Sequence, residues 1–140
     1  ESLDWHLLEK PLHSGVQRLV RDLNRVYQDR DALWQADGEA AGFEWIDVNN
    51  FAENIVAFTR RSAEANSSPN LICVSNFSAV PRSGYRLVLP HEGRYKLVLN
   101  TDQKQFGGSG GDVISDLEAE SAFVLIDLPP LTTIWLEDFH

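Results

Sequence analysis

The spacing of apolar residues changes once along this chain, between Gly38 and Gly42, and that change divides what the chain can fold into. Before it, Val16, Leu19, Val20, Leu23, Val26 and Tyr27 recur by threes and fours, the period of a helix. At 100° per residue they fill an arc of about 120°. Arg18, Arg21 and Arg25 fall on the opposite side as a solvated face, with Asp22 within pairing reach of them. Ser14 is the expected N-cap, with Pro11 shortly before it. A single amphipathic helix cannot bury its own stripe, so this one must lean on a sheet or on a partner domain.

After the change the period is two. Phe43–Val48 and Asn54–Arg60 read as strands, and Leu71–Phe77 is apolar with little alternation, as expected of a central strand covered on both faces. Tyr85, Leu87 and Leu89 alternate with polar or outward positions, and Tyr95, Leu97 and Leu99 repeat the pattern. The short Pro90–Gly93 link predicts that these two strands form an antiparallel hairpin. Phe123–Leu128 and Thr132–Leu136 complete seven strands, broken apart by Pro129-Pro130. The connectors are the polar Ala63–Pro69 and the glycine-rich Phe106–Asp116, expected to be a flexible hairpin loop. Residues 112–121 follow no clear pattern. The predicted fold is mostly β: an antiparallel two-sheet β-sandwich preceded by one or two helices.

Composition narrows the function. Twelve basic against 21 acidic residues give a net charge of −9 and a pI near 4.8, which repels phosphate backbones and anionic lipid. Nucleic-acid and membrane-surface roles are therefore not expected, and no stretch is long and apolar enough for a membrane span. The single cysteine, Cys73, sits in the apolar run Leu71–Val74 and reads as a small buried hydrophobe. Having no disulfide fits a reducing, cytoplasmic compartment. The acidic opening Glu1–His6 does not match a secretory signal, and a chain without methionine that opens in mid-pattern is expected to be a piece of something longer.

The familiar chemical signatures are not expected here. The glycine run 107–111 is followed by Asp112 and lacks the Lys and Ser/Thr of a phosphate loop. His6, His13, His91 and His140 have no zinc-site spacing, and no metal or cofactor is predicted. The carboxylates are scattered, and Glu44 and Asp47 beside Trp45 read as solvent-side residues of an edge strand. Trp5, Trp34, Trp45 and Trp135 are the residues whose flat faces suit a neutral sugar. No catalytic residue is assigned.

Six stretches, in order, carry a resemblance. Leu3-Asp4-Trp5-His6-Leu7-Leu8 and Gly15-Val16-Gln17-Arg18-Leu19-Val20-Arg21-Asp22-Leu23-Asn24 resemble the end of the catalytic barrel in bacterial 1,4-α-glucan (glycogen) branching enzymes of the α-amylase superfamily. Gly42-Phe43-Glu44-Trp45-Ile46-Asp47 is similar to the start of that family's C-terminal all-β domain. Asn76-Phe77-Ser78-Ala79-Val80-Pro81-Arg82 resembles its Asn-Phe-Thr-Pro-Val-Pro-Arg pattern, departing from it at Ser78-Ala79. Leu99-Asn100-Thr101-Asp102 with the 107–109 turn, and Leu128-Pro129-Pro130-Leu131, follow in the family's order.

The resemblance implies a division into residues 1–36, the remnant helical end of a (β/α)8 barrel, and residues 37–140, the sandwich. It implies a parent transferase that moves α-1,4-glucan segments to a 6-hydroxyl in glycogen biosynthesis. In that retaining double displacement an aspartate attacks the anomeric carbon and a glutamate protonates the leaving oxygen. Those carboxylates lie earlier in the parent, so none maps onto this chain, which is expected to be inactive alone and to support the barrel. Its expected partners are that barrel and, through the parent, α-glucan. Trp5 is the candidate substrate contact, because it resembles the segment following the last barrel strand, on the active-site face. Arg82, Leu19 and Leu23 are expected to be structural: Arg82 tying loop groups at a strand exit, the leucines docking the helix. Two other readings stay open: a stand-alone glucan- or starch-binding β-sandwich module, and a purely structural domain that shields one flank of the barrel.

Overall fold

The computed structural model describes residues 3–63, 69–111 and 115–139. A 3-10 turn, Trp5–Glu9, leads into helix α1, Pro11–Asp29. The helix begins earlier than its apolar period: Lys10 is the N-cap and Pro11 the first helical residue. Proline is suited to that place because its ring presets φ and its missing N–H would have had no partner there. Ser14, the expected cap, is instead one turn inside, its hydroxyl donating to the Pro11 carbonyl at 3.0 Å. Arg18, Arg21 and Arg25 are exposed, and Asp22 pairs with the adjacent Arg21 at 3.3 Å.

Eight strands follow: β1 Phe43–Asp47, β2 Ile55–Arg60, β3 Leu71–Asn76, β4 Arg82–Val88, β5 Gly93–Asn100, β6 Leu117–Ala119, β7 Phe123–Leu128 and β8 Thr132–Phe139. They make an antiparallel six-stranded sheet in the order β1-β2-β3-β8-β5-β6, faced by a two-stranded sheet of β4 and β7. The eighth strand, β6, lies in the stretch that showed no pattern: three residues are too few for alternation to register.

The predicted hairpin between 85–89 and 95–99 does not form. Tyr85 is opposite Ile126 and Leu87 opposite Val124 in the small sheet, while Tyr95 is opposite Asp138 and Leu97 opposite Leu136 in the large one. The 90–93 turn therefore carries the chain from one sheet to the other. Tyr85, Leu87, Leu89 and Tyr95 all enter one core, with Leu97 packed against it. Their alternation satisfies two strands facing each other across a core as well as two paired side by side, so period alone cannot separate the cases.

β3 is buried along its whole length, between β2 and β8. Ile72 and Val74 point into the inter-sheet core with Ile55, Ala57, Ile134 and Leu136. Leu71 and Cys73 point the other way, into a second cluster with Ala32, Leu33, Phe58, Val98 and Trp135. That second cluster is closed by the segment after α1. Arg60 sends its guanidinium to the carbonyls of Ala32 and Leu33 and to the Asp37 carboxylate, and Gln35 accepts from the Ser62 hydroxyl and the Ala63 N–H.

The 101–111 loop is a built structure. The Asp102 carboxylate accepts from the Ser109 N–H at 2.8 Å and the Ser109 hydroxyl at 2.5 Å. A Cβ on Gly108 would stand 2.2 Å from the Asp102 carbonyl carbon, so glycine there serves close packing and not only freedom. The central part of the Ala63–Pro69 connector (64–68), and residues 112–114 of the glycine-rich one, lie outside the described residues.

Candidate functional site: the two flanks of the helix

The apolar stripe of α1 divides into two flanks. At 100° per residue Gly15, Val26, Leu19 and Leu23 lie within about 80° of one another. This flank is turned inward: Gly15 and Val26 are buried, and Leu19 and Leu23 half-buried. Val16, Tyr27 and Val20 continue the arc for about 60° more. They stand 58%, 52% and 50% exposed.

Both ends of the helix are anchored along the β5–β8 ladder. At its start, a Cβ on Gly15 would stand 2.7 Å from the Phe106 carbonyl oxygen, in the loop that follows β5. Just past its end, Arg30 forms an ion pair with Glu137 of β8, its Nη2 donating to the carboxylate at 3.3 Å and its Nε lying 3.2 Å from the other oxygen without a hydrogen bond. The inner flank of the helix is withdrawn from water within the chain and its outer flank is exposed.

Trp5 belongs to that outer side. It lies in the first 3-10 turn, 67% exposed, beside a shallow apolar hollow lined by Leu3, Leu7, Leu8, His13 and Val16. A second exposed aromatic group sits on the outer face of the large sheet near its β1 edge. Phe43 stacks on Phe58 at 5.2 Å and meets Trp45 edge-on at 4.7 Å, leaving Trp45 half-exposed. Trp135 is half-buried in the second core cluster.

Among the described residues the structure does not gather the charged side chains into a reactive centre. Glu44 pairs with Arg61. Asp47 is not a solvent-side residue: its carboxylate accepts the Tyr85 hydroxyl at 2.9 Å and the Asn50 amide at 3.3 Å, and Asn50 also donates to Glu53 at 2.8 Å. Burial, and then that bond to Asp47, hold the Tyr85 phenol well above its ordinary value. Burial likewise pushes the Cys73 thiol up to about 12, against the opposing charge of Arg60, which leaves it protonated and unreactive at neutral pH. Among the described residues no three His, Cys, Asp or Glu side chains converge as a metal site would require. No helix is long and apolar enough to cross a membrane among them.

Arg82 leaves the Asn76–Arg82 stretch at the start of β4, where its Nη2 donates to the Glu53 carbonyl at 3.3 Å; its Nε is buried without a partner among the described residues. The hub of that stretch is a residue the sequence did not single out. Asn76, 1% exposed, donates its amide to the carbonyls of Val80 at 2.9 Å, Pro129 at 3.0 Å and Leu128 at 3.4 Å. Its own carbonyl oxygen accepts from the Ser78 N–H at 3.0 Å. One side chain thus ties the β3–β4 loop to the end of β7. The signal was an asparagine closing an apolar strand, where only a fully bonded amide can be buried.

The chain belongs to the alpha amylase, C-terminal all-beta domain family, which matches residues 45–138. Among individual proteins, 40% identity over 96% of its length relates it to the 1,4-alpha-glucan branching enzyme GlgB of Myxococcus xanthus (strain DK1622). It is 45% identical, over 97% of its length, to the enzyme of the same name from Roseobacter denitrificans (strain ATCC 33942 / OCh 114). The resemblance to branching enzymes read from the six stretches therefore holds across the chain. The chain spans 19% of the length of each of these two relatives. The trehalulose synthase MutB from Pseudomonas mesoacidophila MX-45 matches 84% of the chain, and 16% of its own, with a TM-score of 0.53 at 21% identity, which shows the fold alone.

Proposed function

We propose that this chain is the C-terminal portion of a cytoplasmic 1,4-α-glucan branching enzyme of glycogen biosynthesis, in which residues 1–36 finish the catalytic barrel and residues 37–140 form the sandwich that supports it. The carboxylates that attack and protonate the glucan belong to the barrel, and this chain supplies none of them. The observation that carries the reading is the divided stripe of α1. A helix whose inner flank is already buried within this chain, and whose outer flank still presents Val16, Val20 and Tyr27, is shaped to lie between two bodies. The 40–45% identity to branching enzymes several times longer supplies the second body: the remainder of the parent chain.

Two measurements test this. The purified chain should leave iodine staining and reducing ends of amylose at the level of a boiled control; activity above it overturns the reading. In the parent enzyme, Val16→Asp with Val20→Asp should lower the melting temperature and branching together, while the 140-residue chain carrying both changes should melt within a few degrees of the unsubstituted chain.

The half-exposed Trp45, braced by Phe43 and Phe58, supports a second reading in which the sandwich itself binds glucan. Retention of the chain on insoluble starch, lost on Trp45→Ala, would favour it.

A further inference from the structure

The other end of the large sheet carries a buried polar cluster that the branching reaction does not use. Asp138, near the end of β8, is 0% exposed. Its carboxylate accepts from the Asn70 N–H and the Asn70 amide, each at 2.6 Å, and from His91 Nε2 at 3.1 Å. The Asp138 N–H returns a bond to the Asn70 carbonyl at 3.2 Å. His91 comes from the 90–93 turn, which carries the chain between the two sheets. Its Nδ1 lies 2.7 Å from the Glu92 carbonyl, and its ring stacks on Tyr95, whose hydroxyl donates to the His91 carbonyl at 2.8 Å.

Among the described residues the nearest group to each ring nitrogen of His91 is an acceptor, the Asp138 carboxylate at Nε2 and the Glu92 carbonyl at Nδ1. The Tyr95 hydroxyl, 3.5 Å from Nδ1, already gives its proton to the His91 carbonyl. A neutral imidazole has one N–H and one lone pair, so in either tautomer a lone pair is set against an oxygen. The imidazolium alone satisfies both contacts, and it also brings a positive charge to a carboxylate withdrawn from water. Among the described residues the titratable side chains facing the ring are Asp138 from β8 and Tyr95 from β5; Arg94 and Glu118 are exposed and opposite each other in the β5–β6 register.

We propose that the 90–93 turn is a proton-operated latch: protonated His91 holds the turn to the Asp138 carboxylate, through which the end of β8 is tied to Asn70 just before β3, and loss of that proton loosens the whole tie. The bond to the Glu92 carbonyl, followed by those to Asp138, raises the His91 pKa above its ordinary value, against the effect of burial. The sign follows. A group held protonated by the fold stabilises it fully below the unfolded histidine value, near ~6.5. That contribution fades as pH rises through the higher folded value. The latch is closed in acid and opens as pH rises through the raised folded value.

Amide hydrogen exchange of the 140-residue chain, followed by NMR alongside the His91 ring signals, tests it. The Asn70 and Asp138 amides should lose protection several-fold beyond the intrinsic base-catalysed rise, with the midpoint of the His91 titration, while the Cys73 amide at mid-β3 holds. His91→Gln should remove the step. Protection at Asn70 and Asp138 that stays level through the His91 titration, or a step unchanged in His91→Gln, overturns the latch. If that variant does not fold, the comparison with Cys73 in the unsubstituted chain decides by itself.

Discussion

Gly15 of the helix and the Phe106 carbonyl oxygen lie so close that a single added carbon would stand 2.7 Å from that oxygen. The glycine is a close-approach point between α1 and the loop after β5, not a lapse in helix propensity.

Gly15→Ala is accordingly expected to destabilise the chain. Alanine would gain up to about 1 kcal/mol of helix propensity at an unconstrained site. Pushing backbone against backbone costs roughly 1–3 kcal/mol, because neither wall is a flexible side chain. Denaturant unfolding should show a lower midpoint with an unchanged slope. A raised midpoint would mean that the helix shifts freely on its loop.

Asn76 tests the far end of β3. Asn76→Ala strands the carbonyls of Val80, Leu128 and Pro129 without their donor and is expected to cost about 2–4 kcal/mol. Asn76→Asp should be worse, since it aims a carboxylate at the same three oxygens. Thermal unfolding that ranks Asp milder than Ala would contradict this bonding.

Much of this architecture was legible in advance, and the limits have physical causes. Repeats at three and four, then at two, predicted one helix followed by an antiparallel sandwich, because the inner flank of α1 and the inner faces of the strands obey those periods. The pairing of β4 with β7 was not legible. Tyr85, Leu87, Tyr95 and Leu97 alternate identically whether two strands lie side by side or face each other across a core. The helix start was displaced because Pro11 outranks Ser14 as a boundary, an effect of backbone geometry that apolar spacing does not carry. Of the candidate positions, Leu19 and Leu23 came from period, Arg82 from its place at a strand exit, and Trp5 from its flat apolar face together with the resemblance.

Arg82→Lys should lower stability and leave glucan affinity of the parent unchanged. Lysine loses the planar fork that reaches the Glu53 carbonyl from the start of β4. The native Nε already sits buried without a partner among the described residues, so the loss is expected to be modest, about 1 kcal/mol. A melting temperature equal to the parent's would remove the tie as a contributor.

Trp5→Ala belongs in the full-length enzyme. With its indole 67% exposed here, the substitution is expected to weaken glucan binding or branching while stability stays within about 1 kcal/mol. A loss of several kcal/mol at full activity per folded molecule would make Trp5 a packing residue under the barrel.

The two flanks of α1 also bear on how such enzymes can be recombined. A chimera joined between residues 36 and 37 would separate the sandwich from its own helix and from Ala32 and Leu33, baring Leu71, Cys73 and Trp135 to whatever the donor happens to supply. A graft cut just before Pro11 would carry helix and sheet together and leave a single foreign seam, along Val16, Val20 and Tyr27. Exchange between relatives should therefore succeed at the earlier junction and fail at the later one, although the later lies where the spacing of apolar residues changes.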